Sequence, residues 1–362
     1  MIRALVMVLL TALAALGVVA AEDEEPDPSW VCPEGFQGQQ INVFNWSTYI
    51  GETTVSDFEE RCGVRVVYDV YDSDDMLINR LRQGNPGFDI VVPSDVGVLT
   101  LIREELLEPL DYSNLPNFAN IGDAYKNSIF DPGNKYTIPY LSGTIGIGYN
   151  ATAVDEPITT WDQFFNYPGR VAWIDDSRSM ISFGLLMSGF DPSSADPDEI
   201  AAARDYLIAH GDNVAVIAGD DGQELLARGE VDAVIEYNGD IFQLSVDCAC
   251  DDYVYVLPEE GTAFSSGFIG IPVDAPNPLL AHAFIDYLMD PVVAAGIANY
   301  TTYPSPNQAA IDAGLIDPVM LENKGIYPDD AALQRLFYLV IPPEAEQLHS
   351  DAWDEVKIAL SR

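Results

Sequence analysis

Short apolar segments alternate with helix-forming segments along this chain, and this alternation limits the possible folds more than any other feature. The first series runs through INVFNW (41–46), VRVVYDVY and FDIVVPS, and a helix-forming stretch follows each segment. Short apolar strands separated by helices are typical of a mainly parallel sheet that is covered on both faces. The pattern therefore predicts an α/β fold.

The alternation restarts after YTIPYLSGTIGIGYN (136–150) and continues through VAWID, NVAVIAG and VDAVIEY. FIGIPVDA (268–275) is followed by amphipathic helical stretches, which indicate a return to the first unit. We expect lobe 1 to comprise 41–144 and 268–305. We expect lobe 2 to comprise 145–267 and 306–362, including C-terminal helices. Crossovers between two such lobes form a hinge.

The N-terminal residues read as a secretory signal peptide, 1–21. Arg3 precedes an apolar run, and Ala20 and Ala21 end it before an acidic stretch. An uncleaved membrane anchor is the alternative, because the run is close to the minimum spanning length. Residues 22–40 are acidic and rich in Pro and Gly, and predict a linker. No lipobox cysteine is present at the cleavage site, so we expect a periplasmic or otherwise extracytoplasmic protein without a lipid anchor.

The charge balance restricts the class of partner. Sixteen Lys and Arg face 58 Asp and Glu, which gives a net charge of -42. Such a surface repels nucleic acid and anionic membranes, so neither is expected as a partner. A strongly solvated acidic surface explains most of the charge. It permits a cationic ligand without requiring one.

Four cysteines in an exported chain suggest disulfides. Cys32 precedes the first strand and Cys62 ends the following helix, so we predict that they are bonded, which stabilises the fold by about 3–4 kcal/mol. Cys248 and Cys250 are too close to bond along an extended strand, but they can pair in a turn. No metal or other cofactor is expected, because none of the three histidines lies at ligand spacing from the cysteines.

Aromatic, hydroxyl and carboxylate side chains follow several predicted strands. Ligands of open α/β sheets bind at the carboxyl ends of strands, where loops and helix N-termini converge. Ser94, Asp95 and Asp176 are also candidate helix N-caps. The strand-end groups are Trp46-Ser47-Thr48-Tyr49, Pro93-Ser94-Asp95, Asp175-Asp176-Ser177 and Tyr237-Asn238-Gly239-Asp240.

Catalytic interpretations of these groups are poor. Ser94 lies in VVPSD, which is not a nucleophile elbow, and no histidine follows a strand to act as its base. We expect a protein that is not an enzyme. A secreted hydrolase using Asp176 and Asp240 is the alternative from another functional class.

Taken in order, several segments resemble the periplasmic spermidine/putrescine-binding proteins of bacterial ABC importers. The resemblance runs from about Ile41 to the C-terminus, and its motifs are specific in combination. It implies a two-lobed periplasmic binding protein of type II topology, which closes over its ligand and delivers it to a membrane permease. A monomer is expected. The matching segments are NWSTY, VRVVYDVYDS, FDIVVPS, IPYLSGTIGIGYN, TTWDQFF, VAWIDDSR, IEYNGD, LPEEG, FIGIP and YPSPNQAA.

The resemblance also implies a ligand site for a polyamine. Ring faces attract ammonium groups, their apolar surfaces cover methylenes, and carboxylates pair with the amines. The implied residues are Trp46, Ser47, Tyr49, Ser94, Asp176, Tyr237, Asp240 and Tyr303.

The chain departs from the family pattern at several positions, where carboxylates and aromatic walls are lost. Asp95 or Glu236 could compensate for the missing carboxylates. The cleft is then roomier, so another amine or a bulkier nitrogenous solute is the alternative ligand. This chain has Ser265 in place of an aromatic residue, Gly267 in place of an Asp, Ser179 in place of a Glu, Leu339 in place of a Gln, Val96 in place of an aromatic residue and Ser142 in place of a Trp.

Overall fold

The computed structural model describes residues 26–219 and 221–361. The predicted signal peptide, 1–21, lies outside these residues. Strands and helices alternate through most of the described chain, as expected. The strands are β1 (Gln40–Trp46), β2 (Arg65–Tyr71), β3 (Ile90–Val91), β4 (Thr137–Asn150), β5 (Val171–Ile174), β6 (Val214–Ala218), β7 (Ala233–Tyr237), β8 (Tyr253–Val256), β9 (Thr262–Gly270) and β10 (Leu336–Tyr338).

Helices cover both faces of the strands. Three 3₁₀ turns, Tyr112–Asn114, Pro116–Asn120 and Asp123–Tyr125, lead into β4. The α-helices are α1 (Thr54–Cys62), α2 (Asp74–Arg82), α3 (Asp95–Arg103), α4 (Trp161–Phe165), α5 (Ser177–Met187), α6 (Pro197–Ala209), α7 (Gly222–Ala227), α8 (Asn238–Cys248), α9 (Pro278–Leu288), α10 (Pro291–Thr301), α11 (Gln308–Asp312), α12 (Pro318–Glu322), α13 (Asp330–Leu333) and α14 (Pro343–Leu360).

The strand order separates two lobes. Lobe 1 has the order β2-β1-β3-β9-β4, and lobe 2 continues from β4 through β7, β5 and β6. Strand β1 is parallel to β2 and β3, whereas β9 is antiparallel to β3 and β4. The two-lobed α/β fold predicted from the sequence is confirmed.

Each lobe has its own apolar core. In lobe 1, Ile41 and Val43 of β1 pack with Phe58 of α1 and Phe284 of α9. In lobe 2, Trp173 of β5 belongs to a core that α4, α5 and α14 complete. Two separate cores allow the lobes to move as units about the strands that join them.

Strands β4 and β9 connect the lobes. The first part of β4 pairs with β9, and its last part, Ile145 to Tyr149, pairs with β7 of lobe 2. The register between β4 and β9 shifts between Pro139 and Ser142. The cleft between the lobes therefore lies against two long shared strands.

The segment before β1 is packed against lobe 1, in contrast to the linker expected for residues 22–40. The indole of Trp30 is 7% exposed, and its Nε1 donates to Asp286 at 3.0 Å. The backbone N–H of Trp30 donates to Asp290 at 3.0 Å, and the ring packs against Phe58 and Tyr287. The linker interpretation is wrong for this part, because a buried aromatic ring and hydrogen bonds from its indole and its backbone to two carboxylates fix the segment. We call Pro26 to Cys32 the N-terminal strap.

The predicted disulfide between Cys32 and Cys62 is confirmed and ties the strap to the end of α1. Cys248 and Cys250 are also bonded. They bond across the turn that ends α8, where Ala249 has a φ of 50°. The turn supplies the geometry that an extended strand lacks.

The helices after Tyr303 favour a different lobe division from the predicted one. Ala310 of α11, Met320 of α12 and Ile326 pack on α10 of lobe 1. Helix α14 instead joins α5 and α6 in lobe 2. The packing thus favours assigning 306–326 to lobe 1, although the exact boundaries remain a prediction.

Within the described ranges, no single helix is long and apolar enough to cross a membrane. Helices α9 and α10 meet the length and composition criteria only as a pair, and they are bent by 73°.

Candidate ligand-binding cleft

Two adjoining cavities lie between the lobes. The aromatic compartment has a volume of about 40 Å³ and is lined by Trp46, Ser47, Thr48, Tyr49, Ser94, Gly143, Tyr237, Asp240, Ser265, Gly267 and Tyr303. The acidic compartment has a volume of about 260 Å³ and includes Asp72, Asp74, Asp75, Asp95, Asp175, Asp176, Arg178, Leu339, Asp354 and Lys357. The two compartments share Trp46, Ser94, Tyr237 and Ser265.

The end of β1 brings two aromatic side chains into the cleft. Trp46 Nε1 donates to the carbonyl of Val92 at 2.8 Å, and the Trp46 ring packs 4.5 Å from that of Tyr71. Thr48 follows in a left-handed conformation, with φ of 49°. This conformation is costly for a β-branched residue, and such strain is typically found at functional sites.

Asp240 is the carboxylate of the aromatic compartment. It lies in the first turn of α8 and is 5% exposed. Thr48 Oγ1 donates to its Oδ1 at 2.9 Å, and the Tyr303 hydroxyl donates to its Oδ2 at 2.6 Å. Burial raises the pKa of the Asp240 carboxyl, whereas the bonds from Tyr303 and Thr48 oppose the rise. Both of these donors are uncharged hydroxyls.

The Thr48 bond also joins the lobes. Thr48 follows β1 of lobe 1, and Asp240 belongs to α8 of lobe 2. Arg103 of α3 and Glu346 of α14 form a second contact between lobes at 3.4 Å. The structure therefore represents a closed cleft.

Two tyrosine rings lie over glycines. The Tyr49 and Tyr303 rings meet edge to face, with centroids 5.0 Å apart. A Cβ at Gly267 would lie 2.8 Å from the Tyr49 ring, and one at Gly239 would lie 2.2 Å from the Tyr303 ring. The absence of side chains at these positions lets both rings close the aromatic compartment.

Asp176 lies in the acidic compartment and caps α5. Its carboxylate accepts from the backbone N–H of Ser179 at 2.9 Å and of Arg178 at 3.4 Å. The Ser179 hydroxyl donates to it as well. The N-cap considered from the sequence is confirmed, so this carboxylate already accepts three hydrogen bonds.

Ser94 likewise lines the cleft and caps a helix. It caps α3 by accepting from the N–H of Gly97 at 3.3 Å, and its hydroxyl donates to Asp74. Burial raises the pKa of Asp74, and the Ser94 bonds oppose the rise. The hydroxyl that was expected to face a ligand is therefore also engaged with a neighbouring carboxyl.

Asp95 is the first residue of α3 and not its N-cap. Its carboxylate accepts from the N–H of Val96 at 2.8 Å and of Ser266 at 3.2 Å. Burial nevertheless raises the pKa of Asp95 to about 8. Asp95 lines the acidic compartment, whereas Glu236 lines neither compartment.

The structure brings the predicted site residues into one cleft. Asp176 lines the acidic compartment, and the other seven line the aromatic one: Trp46, Ser47, Tyr49, Ser94, Tyr237, Asp240 and Tyr303. Their contact with ligand stays a prediction. The site residues missed from the sequence include Thr48 as the partner of Asp240, together with Gly143. Only the position of Thr48 in the strand-end loop signalled its role.

The cleft carries little that suggests catalysis. Among the residues that the structure describes, no group of three or more His, Cys, Asp or Glu is placed to hold a metal ion. No histidine lines either compartment. The carboxylates of Asp176 and Asp240 both accept several hydrogen bonds.

Comparisons with known proteins agree with this geometry. The model of the family described as bacterial extracellular solute-binding protein matches residues 53–325. The putrescine-binding periplasmic protein SpuD of Pseudomonas aeruginosa is 31% identical, over 88% of this chain and 91% of its own length. The spermidine/putrescine-binding periplasmic protein of Escherichia coli is 33% identical, over 80% of this chain and 83% of its own length.

A solved structure shows the same architecture. The putative spermidine/putrescine ABC transporter from Listeria monocytogenes superposes with a TM-score of 0.82 at 30% identity, covering 88% of this chain and 99% of that one. The hydrolase alternative finds no support, because the family consists of solute receptors. The chain belongs to the bacterial extracellular solute-binding protein family, and its interlobe cleft is that of a receptor and not of an enzyme.

Proposed function

We propose that this protein is the extracytoplasmic receptor of an ABC importer, which binds a polyamine of the putrescine or spermidine type between its lobes and delivers it to a membrane permease. The names of the relatives support this ligand class. The predicted signal peptide supports export. A monomer that binds no nucleic acid is the expected form.

The observation that carries the proposal is the environment of Asp240. A buried carboxylate that accepts from the hydroxyls of Thr48 and Tyr303 can gain a charge-assisted hydrogen bond from an ammonium. The surrounding rings of Trp46, Tyr49 and Tyr237 add cation–π attraction of about 0.5–2 kcal/mol for each well-placed ring. Their apolar surfaces also cover the methylenes of an alkylamine.

The other predicted residues have supporting roles. Ser47 supplies a polar contact beside the rings, and Tyr303 orients Asp240 through its hydroxyl. Ser94 lies where the two compartments meet, and Asp176 contributes negative charge to the acidic compartment. Together they describe a site with one deeply buried anionic group and a wider acidic region.

A different amine or a bulkier nitrogenous solute is the second candidate. The acidic compartment has a volume of about 260 Å³, which is more than a narrow diamine needs. Ser265 and Gly267 also leave out the aromatic wall and the carboxylate that the family resemblance implies.

Isothermal titration calorimetry tests the proposal. Purified protein is titrated with putrescine, cadaverine and spermidine, and with 1,4-butanediol as the uncharged analogue of putrescine. We expect saturable binding of the amines and none of the diol, because a hydroxyl group has no positive charge to pair with the Asp240 carboxylate. Binding of the diol alone, or no binding of any amine at millimolar concentration, would refute the assignment.

A further inference from the structure

We propose that the cleft recognises its ligand at one end. The aromatic compartment encloses one primary ammonium and its first methylenes, and the remainder of the molecule lies in the acidic compartment. This inference rests on the proposed function and defines the substrate class as primary alkylamines with a variable tail.

The size of the aromatic compartment supports recognition of a single end. Its volume is about 40 Å³. This is less than a sixth of the volume of the adjoining acidic compartment, about 260 Å³. The narrow aromatic compartment therefore suits one end of a chain-like ligand, and the wider acidic compartment accommodates the remainder.

The aromatic compartment also has one carboxylate. Asp240 is the only Asp or Glu among its lining residues. Gly267 cannot carry another unless Tyr49 moves, because a Cβ at position 267 would lie 2.8 Å from both Cε1 and the hydroxyl oxygen of Tyr49. Tyr49 over Gly267 is thus a specificity-determining pair that limits this compartment to one ammonium.

Three carboxylates of the acidic compartment accept hydrogen bonds from N–H groups or from a lysine, whereas the side-chain donors to Asp240 are two neutral hydroxyls. Asp176 accepts three hydrogen bonds from the first turn of α5. Asp175 accepts from Trp353 Nε1 at 2.7 Å and from Lys357 Nζ at 3.3 Å. Asp95 accepts from two backbone N–H groups.

Two cationic side chains and the solvent exposure of two carboxylates further weaken the attraction of the acidic compartment for a second ammonium. Arg178 and Lys357 line the same compartment, and Asp72 and Asp75 are exposed to solvent that screens their charges. A second ammonium of the ligand therefore gains little there. Tail length and tail charge should have small effects on affinity.

Calorimetry with four amines tests the inference: putrescine, cadaverine, spermidine and the monoamine butylamine. Because one ammonium supplies most of the recognition, we expect the four dissociation constants to agree within tenfold. A butylamine constant more than tenfold weaker than that of putrescine would overturn the inference and leave the proposed amine receptor intact. Failure of all four amines to bind would overturn both.

Two substitutions test the contributions of the two compartments separately. Gly267→Ala forces Tyr49 to shift, so we expect it to weaken all four amines by at least tenfold and by similar factors. Ser265→Asp adds a carboxylate where the compartments meet, so we expect it to raise the affinity for putrescine relative to butylamine at least tenfold. Ser265→Asn is the matched control and should leave the ratio unchanged. Unchanged binding by Gly267→Ala, or an unchanged ratio in Ser265→Asp, counts against the proposal.

Discussion

Replacement of Asp240 by asparagine removes the one carboxylate of the aromatic compartment while keeping nearly the same shape. Loss of one partner from a buried, hydrogen-bonded charge pair costs about 2–5 kcal/mol. This corresponds to a dissociation constant for putrescine that is weaker by about 30-fold to several thousandfold. Asp240 is 5% exposed, so solvent screening does not reduce this range much.

The same substitution should not weaken the unliganded protein. Burial raises the pKa of the Asp240 carboxyl, which means that its charged form is disfavoured in the closed cleft. The asparagine carbonyl can still accept from one of the two hydroxyls that bond Asp240, those of Thr48 and Tyr303. We therefore expect a melting temperature without ligand that is equal to or above that of the wild type.

Calorimetry and thermal unfolding of Asp240→Asn measure both effects. Asp72→Asn is the control, because Asp72 lines the acidic compartment but is exposed, and it should change the dissociation constant less than fivefold. If folded Asp240→Asn binds putrescine within threefold of the wild type, Asp240 is not the partner of the ammonium.

Three other changes test separate parts of the structure. The Cys32→Ser/Cys62→Ser variant should lower the free energy of unfolding by about 3–4 kcal/mol in chemical denaturation, and a loss below 1 kcal/mol would contradict the chain-entropy argument. Between pH 4 and 8 folded Asp95, with its pKa raised to about 8, holds a proton that the unfolded chain releases. Its contribution to the free energy of unfolding therefore falls by up to about 1.4 kcal/mol per pH unit as pH rises. Chemical denaturation of Asp95→Asn across this range should give a free energy of unfolding that lacks this pH dependence. Thr48→Val removes the hydroxyl that joins the lobes, so the unliganded protein should show a larger radius of gyration in X-ray scattering, and an unchanged radius would show that this bond does not hold the cleft closed.

Features governed by neighbouring residues were predictable from the sequence. The alternation of strands and helices, the N-caps at Ser94 and Asp176 and the disulfide from Cys32 to Cys62 depend on short-range patterns or on the geometry of one strand-helix unit. The loop after β1 was predictable for the same reason, because strand-end positions converge at one edge of a parallel sheet.

Features that depend on distant contacts were not predictable. Helix α8 begins with Asn238 and Gly239, which are typical turn residues, and its capping position has no side-chain hydrogen bond, so the usual signals of a helix start are weak. The bond between Thr48 and Asp240 joins residues 192 positions apart. Likewise, the contact of Tyr49 with Gly267 depends on how β9 lies beside the β1 loop. Sequence can identify a glycine, but not which ring occupies its space.

The N-terminal strap also makes the protein suitable as an optical sensor. Trp30 and the Cys32–Cys62 disulfide hold the strap to lobe 1, whereas α14 packs against α5 and α6 of lobe 2. The first described residues and the last helix are therefore fixed to opposite lobes. A donor fluorophore fused ahead of the strap and an acceptor fused after α14 would convert lobe closure into a change of energy transfer, with no insertion into either lobe.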